Sequence, residues 1–284
     1  MNGIDISSWQ KGIELRALDI RFAILKLSEG MTWADPCFDG FYSAAQAIGL
    51  PVGAYVFSRA TSADRAKAEA EKALALLRGR ALPLGLYMDA EDDRMLALPA
   101  AALTDVVKVF CDTVRAAGYR AGAYGSAGRL WAKVEPSRLG EDVLVWKAAW
   151  SSREPKAPCD IWQYSDRERL AGYGGNLDGD QALSGRFLAL LDGSEPPQPK
   201  AEAEAQPDTP TTPYWPPRVL CLGMQGADVA VLQALLRAHG YRAEISGAFD
   251  SKTKAAVLSF QSDSGLAADG IPGPLTFQAL GVRA

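Results

Sequence analysis

Eight short apolar segments recur along the first two thirds of the chain, and between the early ones the sequence has helical patterns. Strands that alternate with helices form mainly parallel sheets with the helices outside, and eight strands are enough to close a barrel. Between residues 143 and 180 too little chain remains for full helices. The sequence therefore predicts an α/β fold, an irregular (β/α) barrel with some helices missing, with strands at residues 4–6, 22–27, 52–57, 84–88, 121–124, 143–149, 161–164 and around Leu177.

Three segments between these strands have the start, stop and spacing signals of helices. Residues 38–48 are amphipathic. Residues 62–78 are rich in Ala, Glu, Lys and Leu, with Ser62 suited to an N-cap and Gly79 to a stop. Residues 99–117 have apolar positions at three- and four-residue spacing, and they give the clearest helix prediction.

The composition of the chain changes sharply after Leu191. Residues 193–217 form a low-complexity segment rich in Pro, Glu, Ala and Thr, which cannot bury a core and is predicted to be a semi-extended linker. Residues 218–284 return to helical patterning, and their length is near the lower limit for independent folding. The predicted organisation is a barrel domain at 1–192, a linker at 193–217 and a small helical domain at 218–284.

The fourth predicted strand ends in a concentration of carboxylates. Its apolar run at 84–88 is followed by Asp89, Glu91, Asp92 and Asp93. If the extended conformation continues, Asp89 and Glu91 lie on one face, close enough to perturb each other's ionisation. Such a pair can divide acid and base roles between its members. The simpler interpretation is a strand followed by an acidic turn, and Asp92 and Asp93 fit a solvated loop or a helix start.

Charge and hydropathy argue against two kinds of partner. The formal net charge is −4 and the pI is about 5.2, so no basic stripe is available for nucleic acid or for an acidic membrane surface. No apolar stretch reaches the length of a membrane helix. Because the first residues lack a basic segment followed by a hydrophobic one, we expect the protein to stay cytoplasmic until it is released.

Cysteine and histidine usage argues against a metal site. The four cysteines are widely scattered and the chain has one histidine. We therefore expect no metal, no cofactor and no Cys/His nucleophile, and we expect the thiols to be reduced and mostly buried. The oligomeric state is left open by the sequence.

Residues 1–192 resemble a known family along most of their length. The segments that carry the resemblance occur in order, at residues 3–10 (GIDISSWQ), 26–30 (KLSEG), 53–57 (GAYVF), 87–91 (YMDAE), 123–126 (AYGS), 146–150 (WKAAW), 161–165 (IWQYS) and 176–180 (NLDGD). Together they resemble the glycoside hydrolase family 25 lysozymes, which are muramidases of the Chalaropsis type. The resemblance implies a barrel enzyme that hydrolyses the glycan of bacterial cell walls.

Residues 218–282 resemble a second family. Their characteristic segments are residues 222–233 (LGMQGADVAVLQ), 247–250 (GAFD), 269–270 (DG) and 273–276 (GPLT). These are similar to three-helix peptidoglycan-binding domains. Two modules that imply the same polymer match the layout of phage or prophage endolysins, so bacterial peptidoglycan is the expected partner.

The family 25 resemblance implies roles for four carboxylates. Glu91 matches the general acid, and the nearby carboxylates would favour its protonated form. Asp89 is implied to stabilise an acetamide-derived intermediate, with retention of configuration; a base-activated water with inversion is the alternative. Asp5 and Asp178 match the remaining active-site carboxylates, and Asp178 is preferred over its neighbour Asp180.

Aromatic side chains at strand ends are candidates for stacking on sugar rings. Tyr55, Tyr124 and Trp150 are the expected substrate-binding residues, with core packing as the competing explanation. Glu29 matches a family position at the end of the second strand, where a structural hydrogen-bonding role is an equal alternative. The expected activity is cleavage of the β-1,4 bond between N-acetylmuramic acid and N-acetylglucosamine. The alternatives are an inactive wall-binding protein and a chitinase-like glycosidase.

Overall fold

The computed structural model describes residues 2–151, 153–194, 220–266 and 268–280. These residues belong to two compact units. The predicted linker at 193–217 lies almost wholly outside the described residues, so its limits stay predictions.

A closed barrel forms the first unit. Eight strands form its wall in the order β1-β2-β4-β5-β6-β7-β8-β9, and a short strand, β3, pairs with the end of β2. The predicted barrel and all eight predicted strand positions are confirmed. The strands are β1 (Asn2–Ile6), β2 (Phe22–Glu29), β3 (Trp33–Ala34), β4 (Val52–Phe57), β5 (Leu86–Asp89), β6 (Ala121–Ser126), β7 (Leu144–Ala148), β8 (Ile161–Glu168) and β9 (Leu177–Ala182).

The last strand of the barrel runs in the opposite direction to the others. The other seven strands of the ring pair in parallel wherever they are neighbours, whereas β9 is antiparallel to both β8 and β1. Residues 169–176, which connect β8 to β9, are too few for the crossover that parallel strands require. As a result, the beginning of β9 lies at the same rim as the carboxyl ends of the parallel strands.

Helices cover the outside of the first half of the barrel, at α1 (Phe38–Ala47), α2 (Ala63–Leu77), α3 (Asp93–Leu96) and α4 (Ala100–Ala116). A further helix, α5 (Gly185–Leu191), follows β9, and its Phe187 packs on Phe22 of β2. The predicted N-cap of α2 is present, because Ser62 Oγ accepts a hydrogen bond from the backbone N–H of Arg65. In the described residues between Leu144 and Ala182 there is no α-helix, as the short connections predict.

Alternation along β2 separates two hydrophobic cores. Ala23 and Leu25 join the core that includes the outer helices, whereas Phe22 and Ile24 join the core inside the barrel. The inner core also contains Tyr87 and Trp146, which are fully buried. Their rings meet edge to face with centroids 5.5 Å apart, an arrangement that aromatic pairs prefer.

The described residues of the second unit contain three helices, as predicted: α6 (Ala227–Ala238), α7 (Ser251–Asp263) and α8 (Pro274–Ala279). Each of the first two helices carries a buried glutamine that organises the loop after it. Gln233 accepts from the backbone N–H groups of Ser246 and Gly247 and donates to the carbonyl of Ala248. Gln261 likewise accepts from Gly270 N–H and donates to the carbonyl of Ile271. The two glutamines therefore hold the loops that follow α6 and α7 against these helices.

The cysteines and the helix hydropathy were both subjects of prediction from the sequence. Cys111 and Cys159 are buried free thiols, whereas Cys37 and Cys221 are half-buried. No helix within the described parts of the chain is both long enough and apolar enough to cross a bilayer.

Close packing inside the barrel leads to a test of the fold. A Cβ added to Gly122 on β6 would lie 2.3 Å from the ring of Tyr87. We expect Gly122→Ala to lower the free energy of unfolding by about 1–3 kcal/mol through overpacking. Gly40 on α1 is the matched control, because nothing lies within 4 Å of its added Cβ. Gly40→Ala should be neutral or stabilising by up to about 1 kcal/mol. Urea denaturation of both variants measures the difference, and equal stabilities would contradict the inner-core assignment.

Candidate active site

The rim formed by the carboxyl ends of the parallel strands gathers most of the predicted site residues. Strand pairing places Asp89 of β5 beside Tyr124 of β6, and Asp5 of β1 beside Asp178 of β9. A cavity of about 150 Å³ opens there. That is about the volume that accommodates a six-membered ring such as benzene. It is lined by Asp5, Tyr55, Asp89, Tyr124, Trp146, Trp150, Gln163 and Asp178.

Glu91 lies next to this cavity rather than among the residues that line it. It is half-buried, and its Oε1 accepts a hydrogen bond of 2.7 Å from the backbone N–H of Ser126. Gly125 makes room for this contact, since a Cβ there would lie 3.2 Å from Oε1 of Glu91. The end of β6 thus fixes the orientation of the carboxylate that follows β5.

Asp89 is buried at the end of β5, and burial raises the pKa of its carboxyl well above the usual value. The negative charge of Glu91 raises this pKa further, whereas Lys26 opposes the shift. The predicted proximity of the Asp-x-Glu pair is therefore present in the structure. Oδ1 of Asp89 is buried and accepts no hydrogen bond from any residue that the structure describes. An unsatisfied buried acceptor beside a cavity is suited to a donor from a ligand.

Asp5 and Asp178 face each other across the β1–β9 pairing. Burial raises the pKa of Asp5 well above its usual value, and the charges of Asp180 and Asp178 add to the effect. Burial also raises the pKa of Asp178 to about 6, with a further contribution from Asp166. These carboxyl groups therefore bind protons more tightly than exposed aspartates do.

Gln163 connects the carboxylates to the aromatic residues, a role that the sequence did not reveal. Its Oε1 accepts hydrogen bonds from the hydroxyl of Tyr124 at 2.8 Å and from the indole N–H of Trp150 at 3.0 Å. Its Nε2 donates to Oδ2 of Asp5 at 2.8 Å. Because both the oxygen and the nitrogen of the amide are engaged, its orientation is fixed. The only signal in the sequence is a polar residue at a strand end.

Trp146 forms the floor of the cavity and was likewise missed by the sequence interpretation. Tyr55 and Tyr124 both contact its ring, with centroid distances of 6.1 Å and 4.4 Å. The two tyrosines line the cavity while packing on the floor, so stacking on a ligand and core packing are compatible at these positions. Trp150 differs from them, since it is 61% exposed. Its ring offers an accessible apolar face at the edge of the cavity.

Polar residues near the ends of β2, β4 and β5 pair with one another outside the cavity. Lys26 and Arg59 donate to Glu29 and, although burial acts in the opposite direction, these bonds lower the pKa of Glu29. Asp92 is the N-cap of α3, which confirms one of its two predicted alternatives, a helix start. It is not solvated, however, because it is only 4% exposed and is paired with Arg59 and Arg94.

No group of three or more His, Cys, Asp or Glu side chains within the described ranges is arranged to hold a metal ion. Of the carboxylates at the rim, Asp5 accepts a hydrogen bond from Gln163 and Glu91 accepts one from Ser126. Asp5 also lies beside Asp178 on the neighbouring strand. Such an arrangement is suited to holding and transferring protons.

Comparison with known proteins identifies relatives of both units. Residues 4–173 match the family model of the glycosyl hydrolases family 25. Residues 225–280 match the family model of a peptidoglycan binding domain. The autolytic lysozyme of Clostridium acetobutylicum is 26% identical over 190 residues, which cover 65% of this chain and 56% of that protein. Lysozyme M1 of Streptomyces globisporus is 26% identical over 209 residues, covering 67% of this chain and 71% of that protein.

The fold also matches solved structures. The bacterial lysozyme from Streptomyces coelicolor superposes with a TM-score of 0.56 at 24% identity, covering 69% of this chain and 98% of that one. This similarity establishes the barrel fold.

The raised pKa values predict how stability depends on pH. An unfolded aspartate titrates near pH ~3.9, whereas Asp178 in the folded protein titrates at about 6. Between these values the folded state binds more protons than the unfolded state, so stability falls as pH rises. We expect Asp178→Asn to be more stable than wild type at pH 7 by on the order of 1 kcal/mol, and equally stable at pH 3.5. Urea denaturation at both pH values tests this; a variant less stable than wild type at pH 7 would contradict it.

Proposed function

We propose, since the chain belongs to glycosyl hydrolases family 25, that it cleaves the β-1,4 bond between N-acetylmuramic acid and N-acetylglucosamine in bacterial peptidoglycan. The observation that carries the proposal is the Asp89–Glu91 pair at the rim of a cavity lined by carboxylates and aromatic rings. Hydrolysis of a glycosidic bond needs a proton for the leaving oxygen and stabilisation of the positive charge that develops on the sugar. This rim holds groups for both tasks.

Glu91 is the proposed general acid. The hydrogen bond from Ser126 N–H holds one carboxyl oxygen in place, and Asp89 and Asp5 place further negative charge in the same region. A carboxyl group held in a fixed orientation beside the cavity is suited to the role of general acid. Glu91 would give its proton to the glycosidic oxygen as the bond to the anomeric carbon breaks.

Asp89 is the proposed partner in a substrate-assisted reaction. The acetamide oxygen of N-acetylmuramic acid would form a bond to the anomeric carbon as the leaving group departs. The N–H of the resulting cation would then donate to the unsatisfied Oδ1 of Asp89, whose charge stabilises it. Water would open this intermediate and return a proton to Glu91. The two displacements together retain the configuration at the anomeric carbon.

Asp5 and Asp178 are proposed to complete the acidic rim, and Tyr55, Tyr124 and Trp150 to hold the sugar. Gln163 supports this assignment because it ties Asp5, Tyr124 and Trp150 into one hydrogen-bonded unit. A displacement of any of the three would therefore be transmitted to the other two. Carbohydrate recognition by aromatic faces and carboxylates needs such fixed geometry.

The second unit is proposed to hold the enzyme on its substrate. Residues 225–280 match a peptidoglycan binding domain. The barrel is similar in sequence to two lysozymes, which supports the same polymer as its substrate. Attachment to an insoluble polymer keeps the barrel at a high effective concentration near its bonds. We infer that the protein acts on the bacterial cell wall, in the manner of an endolysin.

The products of wall digestion test the reaction. Purified peptidoglycan treated with the protein and reduced with borohydride should yield reduced N-acetylmuramic acid ends, identified by mass spectrometry. We expect Glu91→Gln to lower kcat by at least about 10³-fold, because the amide cannot donate the required proton. The matched control is Asp93→Asn, whose side chain is 88% exposed, and its rate should stay within about twofold of wild type.

Three results would contradict the assignment. New N-acetylglucosamine ends would indicate that the other glycosidic bond of the glycan is cleaved. Release of stem peptides alone would indicate a different class of hydrolase. Equal turnover by wild type and Glu91→Gln would contradict the role of Glu91 as the general acid. Soluble products from chitin without products from the wall would indicate a chitinase-like enzyme instead.

The configuration of the first product tests the role of Asp89. We expect ¹H NMR of a short glycan digest to show the β-anomer before mutarotation, because two displacements retain configuration. Asp89→Asn should lower kcat by at least about 10²-fold, since it removes the charge opposite the intermediate. The α-anomer as first product would instead indicate a single attack by a base-activated water.

A further inference from the structure

Asp180 is a buried carboxyl group for which the proposed reaction has no use. It lies on β9, two residues after Asp178, and pairs with Gly3 of β1 and Gln163 of β8. Its side chain is fully buried behind the cavity and does not line it. Burying an ionised carboxylate is costly unless it is paired. A buried carboxyl group in this position therefore needs either a hydrogen-bond donor or a proton of its own.

The contacts of Asp180 identify that partner. Oδ1 accepts a hydrogen bond of 2.8 Å from the indole N–H of Trp146. Oδ2 is buried, and within the described residues no N–H or hydroxyl donates to it. The carboxyl group of Asp5 lies within hydrogen-bonding contact of that of Asp180, while Oδ2 of Asp5 accepts from Gln163. Two carboxylates cannot bond to each other without a proton between them.

The surroundings of the pair favour retention of that proton. The groups that act on the pair are the carboxyl of Asp178 on β9, the amide of Gln163, the indole of Trp146 and the hydroxyls of Tyr55, Tyr87, Tyr124 and Tyr164. All of these are acidic or neutral. Like charges in a buried site prevent two carboxyl groups from ionising together, as in enzymes whose two aspartates share one proton.

We infer that Asp180 is a positioning residue for Asp5: the two carboxyl groups share one proton, and the pair carries a single negative charge between Trp146 and Gln163. The shared proton links the floor of the cavity to the amide that orients Tyr124 and Trp150. The sharing itself does not depend on the proposed reaction, whereas its importance for turnover rests on the proposed function.

Titration of the pair tests the inference without any substrate. In full-length protein labelled with ¹³Cγ-aspartate, the Asp5 resonance, assigned from its loss in Asp5→Asn, should titrate well above an ordinary aspartate. Asp180→Asn offers an amide N–H to Asp5 and removes the opposing charge. We expect this change to lower the Asp5 midpoint by at least one pH unit. An unchanged midpoint, or an ordinary midpoint for Asp5 in wild type, would overturn the shared proton.

Turnover of the wall tests the positioning role. Asp180→Asn preserves the single charge and both hydrogen bonds, so its kcat should stay within about threefold of wild type at pH 6. Asp180→Leu leaves Asp5 and Trp146 without their partner, and its kcat should fall at least about tenfold with little change in KM. Circular dichroism verifies that both variants fold. Equal losses in two folded variants would overturn the positioning role, and the NMR result stands even if the wild type hydrolyses no wall.

Discussion

Trp146 joins the packing of the barrel to the geometry of its rim. Three tyrosine rings surround it, with centroid distances from 4.4 to 6.1 Å, and each tyrosine comes from a different strand. Its indole N–H bonds to Asp180, which in turn contacts Asp5. The same side chain thus fills the interior and positions an acidic group of the site. A change in the packing of the inner core would therefore displace side chains at the rim, because close-packed interiors transmit strain.

The rim concentrates negative charge at the expense of stability. Asp5, Asp89 and Asp180 are all buried, and burial raises the pKa of each. A protein selected for stability alone would place apolar residues there, as replacements of buried charged groups in other proteins indicate. Fixed hydrogen bonds from Gln163, Trp146 and Ser126 hold this arrangement in place. Perturbed groups that cluster in a cavity are typical of functional sites.

Much of this architecture could be predicted from the sequence, for physical reasons. Apolar segments of strand length alternating with helical patterns leave few arrangements other than a barrel. The reversed direction of β9 was not predicted, because hydrophobic patterning contains no information on strand direction. The role of Gln163 was not predicted, since it depends on groups that are distant in sequence. Asp178 was preferred over Asp180 because the segment that ends in Asp178 resembles the family's motif, and that resemblance carries no information on what Asp180 contacts.

The antiparallel β9 has a consequence for how the molecule is made. The barrel closes only when the first strand pairs with the last, and the hydrogen bond between Gln163 and Asp5 spans 158 positions of the sequence. Pairings this distant form late, because closing a long loop costs entropy before any contact rewards it. During synthesis the open sheet would expose both β1 and β8 edges until residues 177–182 emerge from the ribosome. A nascent chain therefore has no assembled acidic rim until its barrel is complete.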